Sequence, residues 1–293
     1  MYPASASTSA ATDHAKYAMT AAKGGNWDPF ECKEWDKMSP SPQLVKRVQR
    51  DLQQCFSNPP CGIFVVPDEK SITLVHALVI GPFDTPYEGG FFYFVMRMPP
   101  DYPLKPPRVR LMTTGNDTVR FNPNLYKNGK VCLSILGTWQ GPSWVASLTL
   151  ESVLLSIQSL MNENPYHNEP GFEHERSVGD RERYNQIIAH ESVRVAVCEP
   201  LEGQGSAAQR CPPMLLDMMR KSFVNFYEHY LAVCQKLIDK GLQGAPMIDP
   251  FGEKRGSFDP IGLQKRVQAL YARLGASDAD PNDNTTAECM QID

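Results

Sequence analysis

Residues 121–136 read Phe-Asn-Pro-Asn-Leu-Tyr-Lys-Asn-Gly-Lys-Val-Cys-Leu-Ser-Ile-Leu, and they place one thiol, Cys132, after a segment rich in turn-forming residues. Asn-Pro-Asn at 122–124 and the pair Asn128-Gly129 both favour tight turns. Apolar residues on either side of the cysteine would anchor this loop. Such a cysteine is either a half-buried structural thiol or a nucleophile for acyl transfer. The upstream amide of Asn124 is compatible with acyl transfer, because an amide N–H can stabilise an oxyanion.

Four motifs make residues 41–169, under half the chain, resemble the ubiquitin-conjugating enzymes. Asn-Pro-Asn at 122–124, followed by Cys132-Leu133, resembles the His-Pro-Asn…Cys-Leu active-site signature of that family. Three further segments match the family in its order along the chain. Two lie upstream, Gly-Pro-Phe-Asp-Thr-Pro-Tyr-Glu-Gly-Gly at 81–90 and Asp-Tyr-Pro-Leu-Lys-Pro-Pro at 101–107. The third lies downstream and consists of Trp144 with Leu-Thr-Leu at 148–150. Asn122 replaces a histidine that is usually structural in the family, so this substitution is expected to preserve a turn.

The resemblance implies a thioester carrier. Cys132 would accept ubiquitin, or a ubiquitin-like modifier, from an activating enzyme, and would pass it to a lysine of a protein substrate, usually with a ligase. ATP would be used by the upstream activating enzyme, and no cofactor is expected on this chain. Asn124 corresponds to the family's asparagine, which either stabilises the oxyanion or holds the active-site loop. Its amide suits both roles.

Activation of the incoming lysine is assigned less directly by the resemblance. The family often has one acidic residue two positions after the cysteine and another in the loop beyond the second helix. Ser134 occupies the first position here, and the second loop reads Asn-Pro-Tyr-His-Asn-Glu at 164–169. Either His167 or Glu169 would orient or deprotonate the amine. We hypothesise that His167 is a weak proton acceptor; the alternative is an exposed loop histidine without a role.

Two partner surfaces follow from the same resemblance. Three basic residues of the first helix match the face that the family offers to its activating enzyme, or are simply solvated: Lys46, Arg47 and Arg50. Leu104 aligns with the apolar residue through which the family meets RING-type ligases. The companion loop at Val145-Ala146 lacks the usual Ser-Pro-Ala sequence, which leaves RING-type and other ligases open.

Bulk properties exclude several classes of function. With 29 basic and 33 acidic residues and a net charge of −4, the chain has no global field that would favour nucleic acid or a membrane surface. No stretch has membrane-spanning length, and the N-terminus lacks the apolar core of a signal peptide. The eight cysteines form no Cys-x-x-Cys pair, which argues against a zinc or redox site. Free cysteines favour a cytoplasmic or nuclear location, or both.

The predicted fold class is α+β. Helical periodicity begins at Pro42 and is stopped by Asn58-Pro59-Pro60. Four extended runs with short Gly- and Pro-rich connections predict an antiparallel meander: 62–66, 72–80, 90–98 and 108–113. The third run is bulky on both faces and should be a central strand. After the cysteine loop, a packing helix is predicted from Leu150 to Met161.

The chain beyond residue 171 predicts a helical extension. Helices are expected at 180–197, 213–240 and 260–274, with linkers at 198–212 and 242–259. The wide Met- and aromatic-rich stripe of 213–240 either packs on the core or forms a groove for a modifier or a peptide. We therefore divide the chain into four regions: a flexible extension at 1–38, a ubiquitin-conjugating core at 39–200, a helical extension at 201–276 and a disordered acidic tail at 277–293. Three aromatic residues interrupt the first region and would either dock on the core or bind a partner: Trp27, Phe30 and Trp35.

Two other classes of function compete with the carrier hypothesis. A non-catalytic, modifier-binding variant of the same fold would typically lack the cysteine, and Cys132 within its loop argues against it. A generic thiol enzyme, such as a cysteine protease or a redox protein, would need a Cys/His signature or paired cysteines, and the sequence has neither. The three hypotheses predict different products: a thioester that requires an activating enzyme, non-covalent binding alone, or hydrolysis or oxidation without a partner.

Overall fold

The computed structural model describes residues 27–274. Its first long helix, α1, spans Pro42–Ser57. Ser41 caps it, because the Ser41 hydroxyl oxygen accepts the N–H of Leu44 at 3.2 Å and Pro42 occupies the first turn. The helix ends immediately before Asn58-Pro59-Pro60, as predicted. Its buried face points towards the sheet.

A four-stranded antiparallel sheet follows in the order β1-β2-β3-β4, which confirms the predicted meander. The strands are β1 (Ile63–Pro67), β2 (Leu74–Ile80), β3 (Phe91–Arg97) and β4 (Arg108–Leu111). Strand β3 is central and is buried on both faces, because successive side chains alternate between two apolar clusters. Phe92, Phe94 and Met96 face α1, whereas Phe91, Tyr93 and Val95 face the opposite side.

Helix α2 spans Leu150–Leu160 and completes the first layer. Thr149 and Ser152 form a capping box at its start. Val153, Leu154 and Ile157 are fully buried against the same sheet face that α1 covers. The predicted packing helix is thus confirmed, and the cysteine loop lies between β4 and α2 in the chain.

The C-terminal part begins with α3 (Asp180–Glu191), a π-helical segment (Ser192–Cys198) and two short helices, α4 (Glu199–Leu201) and α5 (Gly205–Arg210). Two longer helices follow, α6 (Pro213–Asn225) and α7 (Tyr227–Asp239). A hairpin of β5 (Pro246–Ile248) and β6 (Lys254–Ser257) leads to the last helix, α8 (Pro260–Leu274). The helices predicted at 180–197 and 260–274 are present, although the first changes from α- to π-helical geometry after Glu191.

Three predictions for this part were wrong. The single helix at 213–240 is two helices that break at Phe226, where both Phe226 and Tyr230 turn towards Gly89 of the β2–β3 connection. The Tyr230 hydroxyl donates to the Gly89 carbonyl at 2.7 Å. The linker predicted at 198–212 contains α4 and α5, and the one predicted at 242–259 contains the β5–β6 hairpin. Short elements rich in Gly and Pro carry too few periods to be recognised.

The second sheet face packs against the C-terminal helices. Phe91, Tyr93 and Val95 share one apolar cluster with residues of α6, α7 and α8, among them Phe223 and Val267. The Tyr93 hydroxyl also donates to the carbonyl of Arg210 at 3.0 Å. Of the two interpretations of the 213–240 stripe, packing on the core is confirmed, and this apolar surface is occupied within the chain.

Residues 27–38 lie along β4, one of the two edge strands of the sheet. Asp28 pairs with Arg110 at 2.5 Å, and the guanidinium of Arg108 lies 4.3 Å from the ring centroid of Trp35. Cys32 is fully buried. This part of the region 1–38 is therefore docked rather than flexible, because its aromatic rings and Asp28 contact the arginines of β4. Residues 1–26 and the predicted acidic tail lie outside the described residues.

Candidate functional site

Cys132 and Asn124 face each other across a tight loop beside β4. The Cys132 N–H donates to the Asn124 carbonyl at 2.9 Å, and the Asn124 Nδ2 donates back to the Cys132 carbonyl at 2.9 Å. The turn between them is closed by the Gly129 N–H, which donates to Tyr126. Gly129 has φ +86°, and a Cβ there would lie 2.5 Å from the Leu111 carbonyl oxygen. Only glycine fits this turn, which fixes Cys132 against the end of β4.

Asn122 anchors the upstream half of the loop. Its Oδ1 accepts the N–H of Asn124 at 3.0 Å, and its Nδ2 donates to the Tyr87 hydroxyl and to the Leu160 carbonyl, both at 2.8 Å. The side chain is fully buried. An amide thus joins the loop to the β2–β3 connection and to the end of α2, which agrees with the turn-preserving role expected for this substitution.

Thr138 holds the downstream half of the loop and was missed by the sequence analysis. The Leu133 N–H donates to the Thr138 hydroxyl at 3.0 Å, and that hydroxyl donates to the Val131 carbonyl at 2.6 Å. Both backbone groups adjoin Cys132. No sequence signal marks Thr138, because its partners are main-chain atoms. Ser134 begins a 3₁₀ turn in the same segment, Ser134–Leu136.

Burial controls the charge state of Cys132. The side chain is 2% exposed, and desolvation raises the pKa of the thiol to about 11. The positive charges of Lys130 and Arg120 oppose this rise, whereas Glu169 adds to it. The site therefore holds a protonated thiol at neutral pH, unlike the activated thiolate of a cysteine protease.

We expect the alkylation rate of Cys132 to increase about tenfold per pH unit between pH 7 and pH 9, because the thiolate is the reactive form and its pKa is about 11. The measurement is iodoacetamide labelling followed by mass spectrometry of the peptide that contains Cys132. Peptide resolution separates it from the exposed Cys61. A plateau below pH 9 would show that the thiol ionises more readily than its burial implies.

Arg120 links two segments around the cysteine and was also missed by the sequence analysis. Its guanidinium donates to the Pro123 carbonyl at 2.7 Å and to Glu169 Oε2 at 3.1 Å, and it lies 4.5 Å from the ring centroid of Tyr126. Arg120 lies two residues before the start of the Asn-Pro-Asn motif, but nothing in the local sequence shows that it reaches Glu169. The arginine joins the cysteine loop to the loop beyond α2.

The loop beyond α2 forms a 3₁₀ turn at Pro165–Asn168. His167 is exposed, and its Nδ1 donates to the Phe172 carbonyl at 2.6 Å. In the neutral ring this leaves Nε2 as an acceptor. Glu169 is paired with Arg120, so the two candidates for lysine activation differ: His167 keeps an accepting nitrogen, whereas the Glu169 carboxylate is already engaged.

The basic face predicted on α1 is divided. Lys46 and Arg50 are exposed. Arg47 instead turns inwards, pairs with Asp51 at 2.8 Å, and donates to the carbonyls of Ala146 and Leu148. Because Asp51 lies one turn further along the same helix, it holds the Arg47 guanidinium against the 145–148 loop. Of the three basic residues, Lys46 and Arg50 are therefore the exposed ones, whereas the Arg47 side chain is largely covered.

The apolar surface predicted for a ligase is assembled from two loops. Leu104 is 76% exposed and Val145 is 55% exposed, and Ala146 is exposed beside it. The indole N–H of Trp144 donates to the Pro103 carbonyl at 2.7 Å. This bond joins the neighbours of Leu104 and Val145, so the two loops are tied together.

Within residues 27–274, no cluster of three or more His, Cys, Asp or Glu side chains could hold a metal ion. In the same range, no helix is both long and apolar enough to cross a bilayer.

Comparisons with known proteins agree with this geometry. The family model described as "Ubiquitin-conjugating enzyme" matches residues 47–190. The chain is 58% identical over 248 residues to ubiquitin-conjugating enzyme E2 Z of Xenopus tropicalis, covering 85% of this chain and 77% of the relative. It is 52% identical over 277 residues to the Homo sapiens protein of that name, and the match covers 93% of this chain and 77% of that protein. A third relative, probable ubiquitin-conjugating enzyme protein 17 of Caenorhabditis elegans, is 41% identical over 186 residues, which cover 58% of this chain and 26% of that protein.

The matches to the Xenopus tropicalis and Homo sapiens proteins extend through the C-terminal part as well as through the α+β core. The similarity is therefore not confined to the active-site motifs. The Asn-Pro-Asn segment, the loop cysteine and the strand meander all lie within the matched region. The chain belongs to the ubiquitin-conjugating enzyme family, whose members carry ubiquitin as a thioester and transfer it to substrates.

Proposed function

We propose that Cys132 is the residue that carries the thioester. The observation that supports this role best is the pair of hydrogen bonds with Asn124, which presents the cysteine on a rigid loop. In loading, the Cys132 thiolate attacks the carbonyl carbon of the modifier's C-terminus, and the cysteine thiolate of the activating enzyme leaves. One thioester replaces another, so the step is nearly balanced in free energy.

In the second step a lysine amine attacks the same carbonyl, and the Cys132 thiolate leaves after the amine has lost its proton. The positive charges of Lys130 and Arg120 favour that thiolate, because they lower the pKa of Cys132 against the effect of burial. His167 is the proposed proton acceptor, since its Nδ1–H bond to Phe172 leaves Nε2 available in the neutral ring.

The first experiment is loading of the purified chain. It is mixed with ATP and a panel of activating enzymes, with ubiquitin and related modifiers supplied in turn, and the products are separated on non-reducing gels. We expect a shift by the mass of one modifier that reductant removes. ATP is needed only by the activating enzyme, so pre-charged activating enzyme should suffice without it. Non-covalent binding with no adduct would support a binding module instead.

For Asn124 we propose loop support, because one donor of its amide is already taken by the Cys132 carbonyl. Asn124→Ala leaves that carbonyl without its partner, at a cost of about 1–3 kcal/mol. We expect loading and discharge to free lysine both to slow, by about tenfold. Asn124→Asp keeps the shape but, when ionised, cannot donate and places a negative charge against the Cys132 carbonyl oxygen, so it should slow both steps at least as much as alanine. Slowing of discharge alone would assign the oxyanion role.

The same single-turnover discharge assay tests His167. His167→Ala should slow discharge to lysine while loading proceeds normally. Discharge rates equal to wild type throughout pH 6 to 8 would remove His167 from the mechanism.

The proposed partners dock on two exposed surfaces. Lys46 and Arg50 would contact the activating enzyme, and Leu104 with Val145 would contact RING-type or other ligases. Charge reversal of Lys46 and Arg50 should impair loading, whereas Leu104→Ala should impair only ligase-stimulated discharge. If Leu104→Ala impaired loading and the charge reversal impaired only ligase-stimulated discharge, the activating enzyme would be assigned to Leu104 and the ligase to Lys46 and Arg50. We further propose a cytoplasmic or nuclear location, which fits free thiols; fractionation of cells that express the chain tests it.

A further inference from the structure

The β5–β6 hairpin of the C-terminal part contacts the cysteine site, although it lies outside the region that the family model matches. At its tip, the Phe251 ring contacts three aromatic rings. The centroid distances are 5.4 Å to Tyr166, 5.0 Å to Phe172 and 5.0 Å to Tyr184. Tyr166 and Phe172 belong to the segment that carries His167. Phe251 thus packs directly behind the loop proposed to receive the lysine.

Arg255 forms a second contact, to the other side of the site. Its guanidinium donates to the Arg120 carbonyl at 2.8 Å. The same guanidinium pairs with Asp249 at 2.8 Å, and both side chains are buried. A buried, paired guanidinium has few alternative positions, so this contact fixes where the Arg120 backbone lies. At the surface, Glu253 pairs with Lys127 of the cysteine loop at 2.9 Å.

Arg120 is the point at which the two contacts meet. Its guanidinium lies 5.9 Å from the Phe251 ring centroid, and it is also bonded to Pro123 and Glu169. The hairpin therefore contacts both segments that flank the cysteine. It reaches the Asn-Pro-Asn segment through Arg120, and it packs on the loop beyond α2 through Phe251. A two-stranded hairpin is marginal by itself, so these contacts also hold the hairpin.

We propose that the β5–β6 hairpin is a positioning element of the thioester site, and that Phe251 is its main positioning residue. This proposal rests on the proposed role of Cys132 as carrier. Phe251 keeps residues 165–172 in the arrangement that admits and orients the amine. Arg120 is held independently by Pro123, Glu169 and Arg255, so loss of the Phe251 ring affects discharge rather than loading.

The test compares Phe251→Ala with Phe258→Ala. Phe258 lies just beyond the same hairpin, is more buried than Phe251, and packs on His190 at 5.4 Å. It packs in a separate cluster with Ile187 and with Met247 of β5, so Phe258→Ala removes one phenyl ring at the base of the hairpin and leaves the contact of Phe251 with residues 165–172 in place. We expect Phe251→Ala to load normally and to discharge to free lysine about tenfold more slowly, within the range that small misplacements of reacting groups produce. Phe258→Ala should discharge at the wild-type rate.

A second readout does not depend on activity. Hydrogen exchange in the peptide that covers residues 164–173 should accelerate in Phe251→Ala and remain unchanged in Phe258→Ala. Phe251→Tyr keeps the ring and should restore both the discharge rate and the protection. Phe251→Leu keeps apolar volume without the ring and should give intermediate values.

The two proposals fail in different ways. A wild-type chain that forms no adduct with any activating enzyme overturns the carrier role. A normal adduct that Phe251→Ala discharges at the wild-type rate overturns the role of the hairpin alone. Equal slowing by Phe251→Ala and Phe258→Ala overturns Phe251 as the main positioning residue, since the effect would then follow from a loss of hairpin stability and not from the contact of the Phe251 ring with residues 165–172.

Discussion

Replacement of Cys132 by alanine is expected to abolish the modifier adduct, and replacement by serine to convert it into an adduct that reductant leaves intact. Serine supplies an oxygen nucleophile at the same place, and the resulting ester is not cleaved by thiols. The serine adduct should form more slowly, because a hydroxyl is a weaker nucleophile than a thiol. Non-reducing and reducing gels of the two variants and of wild type decide the outcome.

Cys61 provides the control for this experiment. It is the exposed cysteine among residues 27–274, whereas the others there are buried. Burial raises the pKa of Cys55 and of Cys234 to about 11, as it does for Cys132. What separates Cys132 from these two is its setting in the loop with Asn124. Cys61→Ala should load like wild type. An adduct that survives in Cys132→Ala but is lost in Cys61→Ala would move the carrier role to Cys61.

The second large effect concerns stability. Phe223→Ala is expected to lower the free energy of unfolding by about 3–5 kcal/mol, because it removes a fully buried ring from the cluster between α6 and the sheet. Phe223 stacks on Tyr230, with centroids 5.5 Å apart, so a cavity would open between α6 and α7. Chemical denaturation, followed by circular dichroism, measures the change.

Met214 supplies the matched control, because it lies on the same helix and is 65% exposed. Met214→Ala should change the free energy of unfolding by no more than about 0.5 kcal/mol. If both substitutions had equal effects, the buried cluster would not be the source of stability. A separate early transition in Phe223→Ala would show that the C-terminal helices unfold independently of the sheet.

Local patterns sufficed for much of the fold. The start of α1 at Pro42, the four-strand meander and α2 follow from helical or alternating periodicity between strong Gly and Pro signals. The break at Phe226 could not be predicted in this way, since both flanking helices share a continuous apolar stripe. Contacts with Gly89, more than a hundred residues away, make the chain bend there. Tertiary packing overrode the local pattern.

The cysteine site likewise contains residues that the sequence predicts and residues that it does not. The turn residues and the resemblance together predict that Asn124 and Cys132 lie close, and the hydrogen bonds between them agree. Arg120, Thr138 and Phe251 were not predictable. Thr138 acts through main-chain atoms, and Arg120 and Phe251 act across gaps of about fifty and eighty positions along the chain. Such residues follow no spacing rule, so only the folded chain brings them to the site.

Covering of the second sheet face by the C-terminal helices has a consequence for proteolysis and for quality control in the cell. A chain cut near residue 200 would keep the family region but expose Phe91, Tyr93 and Val95 on a strand-rich surface. Surfaces of this kind promote aggregation. Such a fragment should collect in the pellet, and a soluble, folded fragment would contradict this. We therefore expect cleavage after α3 to inactivate the protein, and not to release a smaller active form of it.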